Sequence, residues 1–149
     1  MTDAPLHPVD VFLLLARGEE VLLALRRNTG HADGQWNLPS GKLENGEDVV
    51  SAVIREAREE VGIRLVPERL RLVATVHRRS NPAHTRVGLA FAADYDPAGH
   101  GEPANAEPDK CGGIGWYPAT ALPENMTPYS AACIRAYLDG VPFGLSGWS

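Results

Sequence analysis

The chain is short of cysteine and of positive charge, and it has no long apolar run and no repetition. Only Cys111 and Cys133 occur among its 149 residues, without metal-type spacing. A disulfide framework or a zinc site is therefore not expected, and both read as reduced structural thiols. Lys and Arg total 14 against 19 Asp and Glu, a formal charge of -5. Binding a nucleic-acid backbone needs clustered Lys and Arg, so no nucleic-acid polymer is expected as the main partner. A small phosphorylated ligand stays open, because a local basic patch or a bound cation can serve it. The run Val11 to Ala16 is too short to cross a membrane or act as a signal, and no basic segment precedes it, so a cytoplasmic protein without a membrane partner is expected. With no repeat or low-complexity tract, residues 1–149 read as one domain, long enough to bury about two-thirds of its unfolded surface.

What is present has a legible order. Val9 to Leu15 and Val21 to Leu25 are near-continuous apolar runs separated by ARGEE, a hairpin whose strands are covered on both faces. Arg26 to Gln35 is a loop, and Trp36 to Ser40 is a short extended piece, because Pro39 biases Leu38 away from helix. A helix is expected from Glu47 or Asp48, where an acidic group suits the N-terminus, to Gly62, which suits the residue past the last turn. Leu70 to Val76 and Val87 to Tyr95 read as strands joined by a long polar hairpin tip, RRSNPAHTR. Asp96 to Gly113 reads as an ordered functional loop, Ile114 to Tyr117 as a strand and Thr127 to Leu138 as a helix. The tail, 143–149, is expected to be poorly ordered. The order suits an α/β class, a mixed sheet between helices in an α/β/α sandwich.

The chemistry concentrates in Gly41 to Ile63, GKLENGEDVVSAVIREAREEVGI. At about 100° per residue, Glu56, Glu59 and Glu60 fall within roughly 100° of arc, while Val50, Val53, Ile54, Ala57 and Val61 form the neighbouring face. Like charges at i and i+4 cost a few tenths of a kcal/mol in an isolated helix, which a cation offsets. Magnesium takes oxygen ligands and keeps several waters, so a few carboxylates suffice, with substrate phosphates completing the shell. Arg55 can orient an acidic neighbour such as Glu47. By the helix alone, the EAREE run reads equally as a solvated face neutralised by Arg55 and Arg58.

The whole pattern decides otherwise. Gly41, five residues, Glu47, seven residues, then REAREEVGI from Arg55 to Ile63 resembles the Nudix box, G-x5-E-x7-R-E-U-x-E-E-x-G-U with U aliphatic, at all nine fixed positions. Ala57 is the smallest admissible member. The preceding WNLPSG, Trp36 to Gly41, also looks like the family's approach to its box. The resemblance implies an α/β/α Nudix fold and a hydrolase that cleaves a nucleoside diphosphate linked to another moiety, using Mg2+ or Mn2+. Carried over by position, Glu59 and Glu60 would be the main metal ligands and Glu56 a further ligand or the base. Arg55 and Glu47 would orient it, and the Gly41 carbonyl would be an additional ligand. Family members are frequently dimers, so a homodimer stays open.

Substrate signals are softer. Arg26 and Arg27 follow the second strand where similar triphosphatases place a basic residue, and read equally as a solvated strand end; Asn37 stands where enzymes that sanitise oxidised purine nucleotides read the base, its amide both donating and accepting, although a structural turn suits it more readily. Trp36 reads as core rather than as a stacking platform. Glu107 lies in a loop that resembles those supplying an extra acidic ligand or base, and Glu102 competes for that role. His77, His84 and His100 read as solvated, and Cys111 lacks the basic partner of a nucleophile. Compact size and WYPATALPENM look closest to MutT-like pyrophosphohydrolases, which release a nucleoside monophosphate and pyrophosphate from a (d)NTP or modified NTP. The alternatives are an ADP-ribose, nucleotide-sugar or dinucleoside polyphosphate hydrolase and a nucleotide-sensing module that does not cleave. An RNA 5′-end pyrophosphatase would need a basic channel, for which Arg78, Arg79 and Arg86 are the candidates.

Overall fold

A computed structural model describes residues 3–149. The apolar runs near the start form β1 (Val9–Arg17) and β2 (Glu20–Arg26), joined by a two-residue turn at Gly18 and Glu19. Two short strands follow, β3 (Trp36–Asn37) and β4 (Ser40–Lys42), and then helix α1 (Val49–Val61). Beyond it come β5 (Arg71–Asn81), β6 (His84–Asp94), the one-turn helix α2 (Pro97–His100), β7 (Cys111–Pro118), helix α3 (Pro128–Asp139) and β8 (Phe143–Ser146). All eight strands belong to one sheet, with the order β3-β2-β1-β6-β5-β8; β4 pairs with β1, and β7 with β2. β1 runs parallel to β6 and β5 parallel to β8, while the other pairs are antiparallel, so the sheet is mixed.

β1 explains the two-layer cover. Val11, Leu13 and Leu15 pack on Ala52, Val53, Ala57 and Val61 of α1. The alternate residues Phe12 and Leu14 pack on Cys133, Ile134 and Ala136 of α3. Because successive strand side chains point to opposite faces, a strand buried between two helices must be apolar at nearly every position. Of the two charged residues of β1, Arg17 ends the strand in solvent, whereas Asp10 lies inside it and is 7% exposed. α1 begins at Asp48, whose carboxylate accepts from Ser51 N at 2.8 Å, and ends at Gly62 with φ 70°, where a side chain would be strained.

Three expectations are corrected. The polar hairpin tip is mostly strand: β5 continues to Asn81 and β6 resumes at His84, leaving Pro82 and Ala83 as the turn. Its polar residues are strand residues whose one face borders an open cleft instead of a core. The tail is ordered through β8, which pairs with β5 from Thr75↔Phe143 to Arg78↔Ser146, and Trp148 Nε1 donates to His77 O at 2.9 Å. A four-residue edge strand draws its stability from the long partner beside it, which no local pattern reveals. His100 is 4% exposed, capping α2, with Nδ1 accepting from Asp96 N at 3.0 Å and burial holding its pKa down. His77 is half-buried, with its ring 4.7 Å from that of Trp148.

Candidate active site

α1 presents its acidic face to β4, and β4 divides the region. Val11 pairs with Gly41 on the α1 side, whereas Phe12 and Asp10 pair with Ser40 and Lys42 on the α3 side. A Cβ on Gly41 would coincide with the carboxylate of Glu56, so glycine here provides close approach. Its backbone φ lies outside the left-handed range. Glu60 Oε2 accepts from Ser40 N at 2.9 Å. The helix thereby brings two carboxylates against one short strand.

Arg55 is the hub of this face. Its Nε donates to Glu47 Oε2 at 2.7 Å and its Nη2 to Glu47 Oε1 at 3.0 Å, a bidentate pair. Nη1 donates to Glu56 Oε1 at 2.8 Å and to Glu59 Oε2 at 3.2 Å, and Nη2 also reaches Lys42 O at 3.3 Å. The hydrogen bonds from Arg55 hold the Glu47 carboxyl below its ordinary range. Glu56 and Glu60 shift the other way. Burial pushes both up, with Glu59 adding repulsion at Glu56, and Glu56 and Glu107 adding it at Glu60. The glutamates therefore divide into one held ionised by its partner, Glu47, and a half-buried pair, Glu56 and Glu60, that calls for a proton or a cation.

The donor chemistry fits a divalent cation. Two half-buried carboxylates, Glu56 and Glu60, lie beside a strand that has given up a side chain to admit them, with the half-exposed Glu59 next to them. Among the described residues, no three His, Cys, Asp or Glu side chains already converge as a complete ligand set. A cation here would have to complete its shell with backbone oxygen, water and substrate, which is how magnesium is commonly held.

On the α3 side of β4 opens a cleft of about 950 Å3. Ser40, Gly41 and Lys42 form its border with the glutamate face, and Asn37, Phe12 and Tyr129 line its middle. Asn37 is buried, with Nδ2 donating to Ser40 Oγ at 3.3 Å. Arg26 lines one end, its guanidinium fixed on His31 O at 2.8 Å and Thr29 Oγ1 at 3.1 Å. Arg27 is not among the lining residues: its backbone N donates to Lys110 O at 3.0 Å, and its side chain runs beside Gly112. Trp36 packs edge-on against Tyr117, ring centroids 5.0 Å apart, as a core residue.

The loop after β6 separates its two acids. Ala104 N and Ala106 N donate to Val61 O and Glu60 O at 2.9 and 3.1 Å, so this loop caps the end of α1 and carries Glu107 to where its charge acts on Glu60. Glu102 instead lines a separate pocket beside Arg17 and Trp116. Cys111 and Cys133 are buried free thiols, and burial pushes Cys133 up to about 12. The sequence reading overlooked Lys42, although it adjoins Gly41. It also overlooked Asp10, whose signal was a lone acid inside an apolar strand: Asp10 accepts from Arg86 Nε and Nη2 at 2.8 and 2.7 Å and from the Tyr129 hydroxyl at 2.9 Å.

A mixed sheet between helices thus sets an acidic helix face at the rim of a basic cleft. The chain belongs to the Nudix family: the NUDIX domain matches residues 6–137. It is 32% identical over 139 residues to a MutT-like protein of Streptomyces ambofaciens, covering 93% of this chain and 82% of that one. It is 34% identical over 111 residues to the human 8-oxo-dGDP phosphatase NUDT18, covering 74% of this chain but 32% of that longer protein. Among solved structures, a MutT NUDIX hydrolase from Burkholderia pseudomallei superposes with a TM-score of 0.78 at 28% identity, covering 89% of this chain and 98% of that one. Among the described residues, no helix is long and apolar enough to cross a membrane.

Proposed function

We propose that the enzyme hydrolyses a nucleoside triphosphate, normal or modified, to the monophosphate and pyrophosphate with Mg2+ or Mn2+. The observation that carries this reading is the shared wall at β4: one strand borders both the half-buried glutamate pair and a cleft of about 950 Å3, large enough for a small ligand. Glu56, Glu59, Glu60 and the Gly41 carbonyl would hold the cation, with Glu107 beside Glu60. When bound, it would supply charge neutralisation of the phosphate oxygens and acidification of a coordinated water.

The chain's own groups do the rest. Arg55, anchored by Glu47, fixes the rotamers of Glu56 and Glu59, and Ser40 N fixes that of Glu60. Lys42 and Arg26 offer positive charge to phosphate oxygens along the cleft. Water attacks phosphorus, the P–O bond to pyrophosphate breaks, and a carboxylate oxygen of Glu56 or Glu60 not engaged by the cation takes the water's proton. Asn37 presents a donor and an acceptor to a base edge.

The test is a panel of normal and oxidised nucleoside triphosphates with Mg2+, with ADP-ribose, nucleotide sugars and dinucleoside polyphosphates alongside, scored for monophosphate release. Turnover of a triphosphate that disappears in Glu60→Gln supports the reading. Turnover confined to the other compounds moves the activity to that class, and ligand-induced thermal stabilisation with no product from any compound makes the chain a sensor.

A further inference from the structure

The cleft is cationic at both ends. Five side chains along it are cationic, Arg26, Lys42, Arg78, Arg86 and Lys110, whereas Asp10 is the one carboxylate among the described residues that line it. This concentration occurs in a chain of net charge -5, so it is a local feature that focuses potential on an anion. Arg26 and Lys110 mark one end, where β2 meets β7. Arg78, Ser80, His84 and Arg86 mark the other, on the β5–β6 hairpin.

The hairpin end is built at a cost to the sheet. Arg78 and Arg86 stand directly opposite each other in the β5–β6 register, and like charges in that position destabilise a strand pair. Only Arg86 has a counterion, Asp10, which holds it side-on through Nε and Nη2. Its Nη1 is left without a hydrogen-bond partner among the described residues and is available to the cleft. Arg78 is half-buried and donates through Nη1 to the neutral Ser146 Oγ at 2.8 Å, and no carboxylate pairs with it among the described residues. The tie to Ser146 comes from β8, so the tail that orders beside β5 also orients this guanidinium.

The two ends stand on strands that are not neighbours. The path from β2 across β1 and β6 to β5 is three inter-strand steps, roughly 14 Å between backbones. The aromatic and amide side chains of Phe12, Tyr129 and Asn37 line the stretch between. We infer that the hairpin end is a second anion subsite, and that the cleft takes a nucleotide carrying a phosphate on its ribose in addition to its 5′-phosphate chain. The inference rests on the reading of this cleft as the nucleotide chamber.

Binding of nucleotides that lack a phosphoanhydride, measured with Mg2+ and again in EDTA, tests it. Titration calorimetry would compare AMP, adenosine 3′,5′-bisphosphate, adenosine 2′,5′-bisphosphate and the dinucleotide pApA, with the guanosine counterparts of the first two. At least one bisphosphate should bind more tightly than its 5′-monophosphate, on the order of tenfold, and the gain should shrink as salt is raised. In Arg78→Gln the ratio should collapse towards one, and Arg78→Lys should recover part of it. A gain shared by pApA assigns the group to a phosphodiester of a longer chain, and a gain confined to a bisphosphate assigns it to a phosphomonoester. Equal binding of mono- and bisphosphates overturns the second subsite while leaving the nucleotide chamber standing, as does a gain that survives Arg78→Gln. No binding by any of these compounds overturns both.

Discussion

Replacing Gly41 by alanine separates packing from chemistry at the proposed centre. The backbone of Gly41 is open to any residue, so the only new demand is room for one methyl, and that room is taken by the Glu56 carboxylate. Overpacking typically costs 1–3 kcal/mol. The obstructing atoms are the far end of a flexible side chain, so the lower end, about 1 kcal/mol, applies here, or roughly 3 °C in melting temperature for a domain of this size. The functional effect is larger. Glu56 can yield only by leaving Arg55 Nη1, now 2.8 Å away, and a displacement of about 1 Å at a reacting group can cost on the order of 10²-fold in rate. Gly41→Ala should therefore lose about two orders of magnitude in kcat under saturating Mg2+ while melting within a few degrees of the unsubstituted protein. Gly46→Ala is the control: φ there is 80° and a Cβ meets nothing within 4 Å, so it should cost about 1–2 kcal/mol of backbone strain and leave kcat unchanged. A Gly41→Ala enzyme within about threefold of normal kcat would refute the placement of Glu56 at the reacting centre.

Three further outcomes follow from the same geometry. In the metal-free protein, stability should fall as pH rises from about 4.3, the ordinary glutamate value, through the raised values of Glu56 and Glu60. In that window the unfolded chain has already lost protons that the folded pair retains, so the slope of unfolding free energy with pH is negative. Glu47, held low by Arg55, contributes the opposite slope only at lower pH. Chemical denaturation in EDTA at stepped pH reads this, and a flat or rising profile that Glu60→Gln does not change would contradict the raised proton affinity of the pair; added Mg2+ should recover the loss. Glu107→Gln should lower kcat on the order of tenfold through its effect on Glu60, whereas Glu102→Gln, in a separate pocket, should match the unsubstituted enzyme in the same assay. Ile134→Ala, fully buried on α3, should destabilise by about 2–5 kcal/mol in urea, and a change below about 0.5 kcal/mol would argue against the α3-side core.

Legibility differed between elements for identifiable reasons. β1 and β2 could be read from composition, because strands covered on both faces must be apolar throughout. The β5–β6 hairpin was drawn too short because Arg78, Ser80, His84 and Arg86 face an open cleft, where strand residues are polar and resemble a loop. β8 escaped because its four residues are held by pairing with β5, across 68 positions of sequence at Arg78 and Ser146. The rivalry of Glu102 and Glu107 was undecidable locally, since five residues of irregular loop set no direction for either side chain.

By itself the sequence determined α1 and what it carries. Helical periodicity, the Asp48 cap and Gly62 act within a few residues, so they set the carboxylates of Glu56, Glu59 and Glu60 on one face and put Arg55 in reach of Glu56 and Glu59 whatever the rest of the chain does. Only the tertiary structure decided what that face meets. Gly41 opposite Glu56, Ser40 N on Glu60, Glu107 at the helix end and a cleft with two cationic ends all depend on strand pairings between distant segments. Their free energy comes from long-range burial and hydrogen bonding, which no window of the chain contains.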